Sequence, residues 1–256
     1  MLEGARIAVV VPAYREERLI ARTLRSVPDF VDHVVVVDDG SPDTTAEAAR
    51  AVGDPRVEVV SHPYNRGVGA ALKTGYALAL GRGADAVAVM AGDAQMHPDD
   101  LRALALPVVR GETDYAKGDR LSHPTVARAM PRLRRLGNHV LSALTRAATG
   151  LSVRDSQCGY TVIGRRALSA VPLHALWEGY GYPNDLLGWL RMSGARVRDV
   201  VVRPLYGQEQ SGVGLRHALL VIPWLLLRVA LRRASLALLS TQPMTSEQGV
   251  RALSRR

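Results

Sequence analysis

Residues 33–45 read HVVVVDDGSPDTT, and this stretch decides the fold class. Its first five residues form a short run that is rich in valine. The run stops at two acids and a glycine, as a buried parallel strand does. The polar SPDTT that follows is typical of a helix start, with Ser41 as a candidate cap. The stretch therefore predicts a strand that leads through a short loop into a helix.

The same pattern repeats on both sides of this unit. Strand-like runs are predicted at residues 7–11, 57–60 and 85–90, and helical patterns at 16–27, 42–52 and 67–80. Four successive strands with helices between them predict an α/β fold with a doubly wound, mostly parallel sheet. In such sheets ligands bind beyond the carboxyl ends of the strands, so the loops at that edge form the candidate site.

Composition and charge limit the classes of function. The chain has 256 residues, is 47% hydrophobic and carries a formal charge of +9, so one large domain with an appended tail is expected. Residues 211–256 hold seven arginines and one acid, Glu247, and hence six of the nine charges. The body is then nearly neutral, which argues against a nucleic-acid groove. The single cysteine, Cys158, excludes an internal disulfide, and without a signal-peptide pattern at the N-terminus we expect a cytoplasmic protein.

Each loop at the expected site is compatible with two interpretations. Asp38 and Asp39 can simply precede a helix, or their carboxylates can accept hydrogen bonds from a ribose or a base. Tyr14 can pack in the fold, or it can flank a planar base together with Glu16. The glycines of NRGVGAALKTG fit a tight turn and a close helix-sheet contact as well as a phosphate, and the P-loop ending GK[ST] is missing.

Six motifs in order and spacing resemble one family. VVPAYREE, VVVDDGSPDTT, NRGVGAALKTGY, MAGDAQMHPDD, KGDR and RDSQCGY are similar to the motifs of family 2 glycosyltransferases with the GT-A fold. The resemblance covers roughly residues 5–210 and is strongest to the dolichyl-phosphate mannosyltransferase-like branch, which charges a polyprenyl phosphate with one sugar. It implies a GT-A α/β catalytic domain over residues 1–210, with a nucleotide sugar as donor.

The stretch AVAVMAGDAQMHPDD, residues 86–100, ends a predicted strand on a carboxylate and an amide. The resemblance implies that Asp93 and Gln95 bind a divalent metal, Mg²⁺ or Mn²⁺, which neutralises the charge growing on a departing diphosphate. Family members usually read Asp-Ala-Asp here, and in this chain Ala91 replaces the first acid. The alternative is that Asp93 only caps the helix that starts near PDD.

The remaining site residues are also implied by the resemblance. The expected nucleotide-sugar pocket consists of Pro12, Tyr14, Glu16, Val37, Asp39, Gly92 and Asp93. The expected catalytic residues are Asp93, Arg120 and Asp185. The expected acceptor-binding residues are Arg134, Arg135, Asp155 and Arg203.

The acceptor side leaves choices open. Adjacent arginines cannot share one helix face, so one or two of Arg132, Arg134 and Arg135 face the site, or all three form a solvated basic face. Asp155 is placed near the acceptor or fixes its own loop. Asp185 lies where a general base stands in many relatives; a sugar hydroxyl needs such a base, whereas an anionic phosphate does not. With a phosphate acceptor, Asp185 would orient a basic group or cap a helix.

The C-terminal region contains a basic and apolar stretch, residues 215–239. Its apolar part before Arg228, residues 218–227, is too short for a membrane span of about 20 residues, and Pro223 also interrupts it. We expect residues 211–240 to form helices that lie in the headgroup layer; the alternative is a helix packed on the catalytic domain or in a dimer contact. Residues 241–256 are polar and are expected to be disordered. RPLYGQEQSG resembles a loop over the active site, in which Arg203, Glu209 and Ser211 match loosely and Gly212 replaces a lysine.

These observations predict an enzyme that moves one hexose, with inversion, from a nucleotide sugar of the GDP-mannose or UDP-glucose type to a polyprenyl phosphate. The expected partners are the nucleotide sugar, the polyprenyl phosphate and the inner membrane surface, with no nucleic acid; a homo-oligomer is left open. One alternative is transfer to a hydroxyl of a glycolipid or saccharide, with Asp185 as base. Another is a non-catalytic protein that binds nucleotide sugars, suggested by Ala91.

Overall fold

One central sheet of seven strands organises the computed structural model, which describes residues 1–205 and 220–240. In chain order the strands are β1 (Ile7–Ala13), β2 (His33–Asp38), β3 (Val57–Ser61), β4 (Ala86–Val89), β5 (Tyr115–Asp119), β6 (Thr161–Gly164) and β7 (Val197–Val201). Their spatial order is β3-β2-β1-β4-β6-β5-β7. The sheet thus contains the four strands predicted from the sequence and three later ones.

Helices cover both faces of this sheet. They are α1 (Ile20–Ser26), α2 (Thr45–Arg50), α3 (Val68–Gly81), α4 (Pro98–Val109), α5 (Val126–Ala129), α6 (Arg132–Thr149), α7 (Arg165–Ala170), α8 (Tyr182–Met192) and α9 (Ile222–Ser240), with a short 3₁₀ turn at Leu173–Ala175. This alternation of strands and helices confirms the predicted α/β class.

The direction of β6 determines which segments meet at the site. β1 pairs in parallel with β2 and β4, β2 with β3, and β5 with β7. β6 runs antiparallel to both of its neighbours, β4 and β5. The residues that precede β6 therefore lie at the same sheet edge as the residues that follow β4 and β5.

The strands bury side chains on both faces, as the continuous apolar runs predicted. Val9 of β1 packs in one cluster with Leu24 of α1 and Leu104 of α4. Val10, the next residue, points the other way and packs in the cluster that contains Tyr76 of α3. Two cores thus hold the sheet rigid beneath the loops.

The first helix begins later than its sequence pattern predicts. Arg15 has a φ of 59°, and the backbone N–H of Glu16 donates to the Thr45 hydroxyl at 2.8 Å, so the chain turns here before it becomes helical at Ile20. The prediction that Ser41 caps the second helix is wrong, because its hydroxyl instead accepts from Arg15 N at 3.0 Å. These side-chain bonds tie the first loop to the second.

The C-terminal helix α9 packs on α6 and α8. Leu225, Leu226 and Val229 are buried in this contact. The Arg232 guanidinium lies 3.3 Å from the Asp185 carboxylate and 4.1 Å from the centre of the Trp189 ring. One side of α9 therefore packs on the catalytic domain, which was the alternative to a helix lying only in the headgroup layer.

The described part of the tail is not long and apolar enough to cross a bilayer, and the same holds for every other described helix. The predictions for Glu209, Ser211 and Gly212, and for residues 241–256, concern segments outside the described residues.

Candidate functional site

A cavity of about 350 Å³ opens at the carboxyl ends of β1, β2 and β4. The predicted site residues that line it are Pro12, Tyr14, Glu16, Asp39, Gly92, Asp93, Gln95, Arg120, Arg134 and Arg203. Four others do not line it: Val37, Arg135, Asp155 and Asp185. The loops identified from the sequence thus converge on one space, and the exceptions have individual causes.

The first loop presents an aromatic ring at this cavity. Tyr14 is 39% exposed, so its ring is not committed to the core and one face remains available for a planar base. The Arg15 guanidinium lies 5.3 Å from the centre of that ring. The left-handed backbone at Arg15, which costs roughly 1–2 kcal/mol for a side-chain-bearing residue, fixes the turn that places Tyr14 and Glu16 on the cavity wall.

Glu16 lies beside the end of β4. A methyl group added at Gly92 would be 3.5 Å from the Glu16 Cγ, and both residues line the cavity. Burial, followed by the charges of Asp93 and Asp43, raises the pKa of Glu16 to about 7. Crowded carboxylates of this kind create a local negative potential that favours a bound cation.

Asp39, at the end of β2, fixes the third loop. Its carboxylate is buried and accepts from Gly67 N at 2.7 Å and Arg66 N at 3.1 Å, and its Oδ1 lies 2.7 Å from His62 Nδ1. Val37, two residues earlier, points into the core next to Ala71 and does not reach the cavity. Val37 lies inside β2, whereas Asp39 follows the last residue of the strand and so stands at the sheet edge where the cavity opens.

Gly67 allows the third loop to approach a distant segment closely. Its φ is 100°, and a Cβ there would lie 2.6 Å from the carbonyl oxygen of Glu178. Glu178 in turn pairs with Lys73 at 2.7 Å and with Arg66 at 3.2 Å. The close backbone contact accounts for this glycine without a phosphate.

Asp93 and Gln95 follow β4 on a tight turn. Asp93 Oδ1 accepts from Gln95 N at 3.1 Å, and between them Ala94 has a φ of 56°. Ala94 N donates to the Thr23 hydroxyl, which donates to the Gly92 carbonyl, so α1 holds the turn. The helix-cap alternative for Asp93 is wrong, because His97 occupies the N-cap of α4 and accepts from Asp99 N.

The oxygen donors at this turn fit a divalent metal. Asp93 and Gln95 both line the cavity, with Glu16 beside them, and these are the hard ligands that Mg²⁺ and Mn²⁺ prefer. No group of three His, Cys, Asp or Glu residues suited to a metal exists among residues 1–205 and 220–240. With Asp93 and Gln95 as protein ligands, diphosphate and water oxygens would complete the coordination, as is usual for Mg²⁺ sites.

Arg120, which follows β5, forms an ion pair with the buried Asp155. Its Nε donates to Asp155 Oδ2 at 2.8 Å and its Nη2 to Oδ1 at 3.1 Å. Burial raises the pKa of Asp155, but the charge and hydrogen bonds of Arg120 and the charge of Lys117 outweigh it, so the pKa lies below its usual value. Asp155 thus orients an arginine that lines the cavity and does not line it itself.

Of the other three predicted arginines, two line the cavity and one does not. Arg134 lines the cavity and its neighbour Arg135 does not, as the rotation between adjacent helix positions requires. Arg203 lines the cavity while its backbone N–H donates to Asp100 at 2.8 Å and its Nη1 to Asp99 at 3.1 Å. The segment after β7 is therefore anchored on the first turn of α4.

Asp185 lies in the first turn of α8 and is fully buried. Its Oδ2 accepts from Trp177 N at 3.0 Å and its Oδ1 from Arg232 at 3.3 Å. The carboxylate orients a basic group, as expected for a phosphate acceptor, and it lacks the cavity position that the base role needs.

Sequence reasoning missed several residues of the cavity wall: Asn65, Gln157, Tyr180, Tyr182 and Ile222. Burial, followed by the charges of Glu16, Asp39 and Asp93, raises the pKa of Tyr180, so its hydroxyl faces the acidic side of the site. The spacing of the two tyrosines around Gly181, whose φ is 106°, was the available signal. No sequence signal pointed to Ile222, because its place in the cavity wall depends on how α9 packs against the rest of the fold.

Comparisons with known proteins agree with this geometry. The model of the family described as Glycosyl transferase family 2 matches residues 8–171, which is well over half of the chain. The undecaprenyl-phosphate mannosyltransferase of Micrococcus luteus is 32% identical over 216 residues, covering 81% of this chain and 88% of the relative. The UDP-N-acetylglucosamine–dolichyl-phosphate N-acetylglucosaminyltransferase of Methanococcus voltae is 26% identical and covers 81% and 89%.

A solved structure has the same fold. Glucosyl-3-phosphoglycerate synthase from Mycobacterium tuberculosis, crystallised with Mn²⁺, uridine diphosphate and glucosyl-3-phosphoglycerate, superposes with a TM-score of 0.69 at 25% identity. The match covers 89% of this chain and 80% of that one. The sheet and its flanking helices are thus those of the GT-A glycosyltransferases.

Proposed function

The chain belongs to glycosyl transferase family 2, and we propose that it transfers one hexose from a nucleotide sugar to a polyprenyl phosphate. Two relatives whose names contain a polyprenyl or dolichyl phosphate support this acceptor. The same names differ in the sugar, so the donor is proposed as a nucleotide hexose of the GDP-mannose or UDP-glucose type. The family model and the relatives named as transferases argue against the non-catalytic alternative.

One observation carries the choice of acceptor. Asp185, the carboxylate that would serve as base for a hydroxyl, is buried in an ion pair with Arg232 and does not line the cavity. The carboxylates that line it among the described residues are Glu16, Asp39 and Asp93, all on the donor side. A phosphate oxygen is already anionic and needs no base, so this arrangement suits a phosphate acceptor.

The donor would lie across the strand ends. Tyr14 would stack on the base, Asp39 and Glu16 would face the ribose or base, and Gly92 would allow the diphosphate to approach the backbone. Asp93 and Gln95 would hold a divalent metal, which when bound supplies positive charge to the leaving diphosphate. Arg120, oriented by Asp155, would face the diphosphate or the acceptor phosphate from the opposite wall.

Transfer then consists of one in-line displacement. A phosphate oxygen of the acceptor attacks the anomeric carbon, the bond from that carbon to the diphosphate oxygen breaks with its electron pair, and the configuration inverts. Arg134 and Arg203 would hold the acceptor anion close to the donor. The chain contributes positioning and electrostatic stabilisation, which are sufficient sources of rate for such a step.

Transfer to a hydroxyl remains the second candidate. It is favoured by the structural neighbour crystallised with glucosyl-3-phosphoglycerate, a compound whose name places the glucosyl group on phosphoglycerate and not on a polyprenyl phosphate. Peripheral association with the inner membrane surface is part of the proposal, because the acceptor is a membrane lipid. The oligomeric state stays an open prediction.

A nucleotide panel tests the donor side. Uridine and guanosine diphosphates are added with and without Mn²⁺ or Mg²⁺ while the melting temperature is followed, since a ligand that binds the folded state raises it. We expect one nucleotide to raise the melting temperature, and more so with metal. No shift with any nucleotide would contradict the enzyme assignment.

A transfer assay tests the acceptor side. Labelled GDP-mannose and UDP-glucose are incubated with a short polyprenyl phosphate or with a neutral glycolipid of equal chain length. We expect labelled product from the phosphate only. Product from the neutral glycolipid alone would move the assignment to the hydroxyl acceptor.

A further inference from the structure

Helix α6 carries a stripe of exposed apolar side chains. Leu133, Leu136, Val140 and Leu144 are between 44% and 82% exposed. Their spacing of three and four residues places them on one side of the helix. The opposite side of α6 is buried through small polar residues such as Ser142 and Thr145, so the usual amphipathic arrangement is inverted.

Helix α9 carries a second stripe of the same kind at its start. Leu220, two residues before the helix begins, and Trp224, Leu227 and Leu231 are between 52% and 63% exposed. The spacing is again four, three and four residues. The other side of α9 is the one that packs on α6 and α8.

The two stripes adjoin. Leu141 and Ala148 of α6 pack with Ile222 and Leu226 of α9 along the seam between the helices. On α6, Leu144 lies three residues after Leu141 and four before Ala148, which puts the exposed stripe next to the seam. On α9, Leu227 is separated by three residues from Ala230, which also packs at the seam. The eight exposed residues therefore form one continuous surface, here called the α6–α9 face.

Charge identifies what covers this face. The two helices contain seven arginines and neither Asp nor Glu; the arginines are Arg132, Arg134, Arg135, Arg146, Arg228, Arg232 and Arg233. Arg232 pairs with the buried Asp185, so the positive charge near this face is counted from the other six. Arg228 lies 6.0 Å from the Trp224 ring, at the border of the apolar surface. An apolar surface bordered by arginine and tryptophan matches the interface of an anionic bilayer, where the apolar side chains enter the acyl boundary and the cations meet phosphate groups.

A second copy of the chain is a poorer occupant. A two-fold contact through this face would bring two acid-free arginine-bearing helix pairs against each other. Like charges in a contact are unfavourable, whereas a bilayer that contains anionic lipid supplies the opposite charge.

We propose that the α6–α9 face is the surface by which this protein docks on the interfacial layer of an anionic lipid bilayer, with both helices contributing. Arg134 and Ile222, near the N-terminal ends of α6 and α9, line the cavity, so docking places the cavity mouth beside the lipid surface. The inference rests on the proposed function only for the identity of the acceptor that enters there.

Vesicle binding tests this proposal without transfer. The full chain is sedimented with vesicles of phosphatidylcholine alone or with one third phosphatidylglycerol. We expect binding to the anionic vesicles, and at least about a tenfold loss of affinity in the double variant Leu136→Glu/Leu227→Glu, since each substitution replaces a bilayer-buried leucine by a charge. The matched control is Ala103→Glu, at an exposed position of α4 on the opposite side of the sheet, which should bind as the unmodified protein does.

Three further readouts separate the outcomes. Brominated lipid should quench Trp224 fluorescence, and Trp224→Phe should remove the quenched component. The double variant should keep its nucleotide-dependent melting shift and its transfer to a short, soluble phosphate, which shows that the site is intact. Unchanged vesicle binding in the double variant would overturn the proposal, as would a dimer in solution that this variant converts to a monomer. If the double variant loses vesicle binding while neither it nor the unmodified protein shows transfer, the docking surface is supported and the proposed function is rejected.

Discussion

Asp93 is the residue on which the donor chemistry depends most directly. Asp93→Asn keeps an oxygen that can accept from Gln95 N, so the turn should survive. It removes the negative charge that would hold the metal, and we expect transfer to fall roughly 100-fold or more. Initial rates with Mn²⁺, together with an unchanged melting temperature, are the measurement. Turnover equal to that of the unmodified enzyme would mean that Asp93 only shapes the turn.

Glu16 makes stability depend on pH. Its folded-state pKa of about 7 lies above the ordinary 4.5, so the folded protein keeps a proton that the unfolded chain releases. The free energy of unfolding should therefore decrease as pH rises from about 4.5 to 7. The Glu16→Gln variant has no carboxyl group at this position, so its free energy of unfolding should not show this decrease. In EDTA it should be more stable than the unmodified protein at pH 8, by about 1 kcal/mol after discounting for partial exposure, and equal to it near pH 4.5.

Melting temperatures at the two pH values measure this difference. Glu47→Gln, which removes an exposed carboxylate on α2, is the control for lost surface charge. A Glu16→Gln effect of equal size at both pH values would contradict the assignment.

At the scale of the element, α8 and α9 are joined through Asp185. Asp185→Asn weakens the pairing of a buried carboxylate with Arg232, and we expect the free energy of unfolding to fall by about 1–3 kcal/mol. Transfer to a lipid phosphate at low temperature should remain appreciable, because no proton is abstracted. Denaturant unfolding and rates at 10 °C separate the two effects. A collapse of transfer by about 100-fold or more with normal stability would indicate a general base.

The first turn of α6 offers a matched pair of variants. Arg134 lines the cavity and Arg135 does not. Arg134→Ala should reduce transfer to the lipid phosphate roughly 10- to 100-fold, the effect of losing a charge-assisted hydrogen bond. Arg135→Ala, with the same change of charge, should stay within about threefold of the unmodified rate. Equal losses in both variants would show that α6 contributes only its general positive charge.

Local patterns were sufficient for the elements that pack in sequence order. The first four strands were predicted within two residues of their ends, because runs of valine bounded by turn residues specify buried strands. The start of α1 was not predicted correctly. The left-handed backbone at Arg15 and the hydrogen bond from Glu16 N to the Thr45 hydroxyl depend on a neighbouring loop. The antiparallel β6 likewise depends on pairings across the sheet.

The same distinction holds for the site. Motif order identified Asp93 and Arg120 as candidates, a helical pattern added Arg134 and Arg135, and the fold brings all of these except Arg135 to one cavity. Asp155 and Asp185 lie in equally recognisable motifs, yet both are buried and hold arginines. A motif gives the position of a carboxylate in the chain, whereas its hydrogen-bond partners come from segments far away in sequence.

For the whole molecule, α9 is a structural part of the catalytic body. It buries Leu225, Leu226 and Val229, and a side chain at Gly188 of α8 would lie 2.8 Å from Val229. Deleting residues 206–256 should therefore lower the free energy of unfolding by at least about 4 kcal/mol, given about 1.5–3 kcal/mol for each buried side chain. Calorimetry measures the loss. Deleting only residues 241–256 keeps α9 and should leave the melting temperature nearly unchanged; an equal loss in both deletions would contradict this role.

The reversed direction of β6 also bears on how such a chain can evolve. Loops that follow the parallel strands β1, β2 and β4 form one wall of the cavity, and they all belong to the first 96 residues. The opposite wall is formed by residue 120 and later segments. Arg120 and Arg203 follow β5 and β7, which run in the direction of β4, and residues 157–160 reach the same edge because β6 runs backwards. The two walls are thus encoded by separate halves of the gene. Under the proposed function, a lineage that changes the second part would change the molecule that receives the sugar, while the first part would keep its nucleotide.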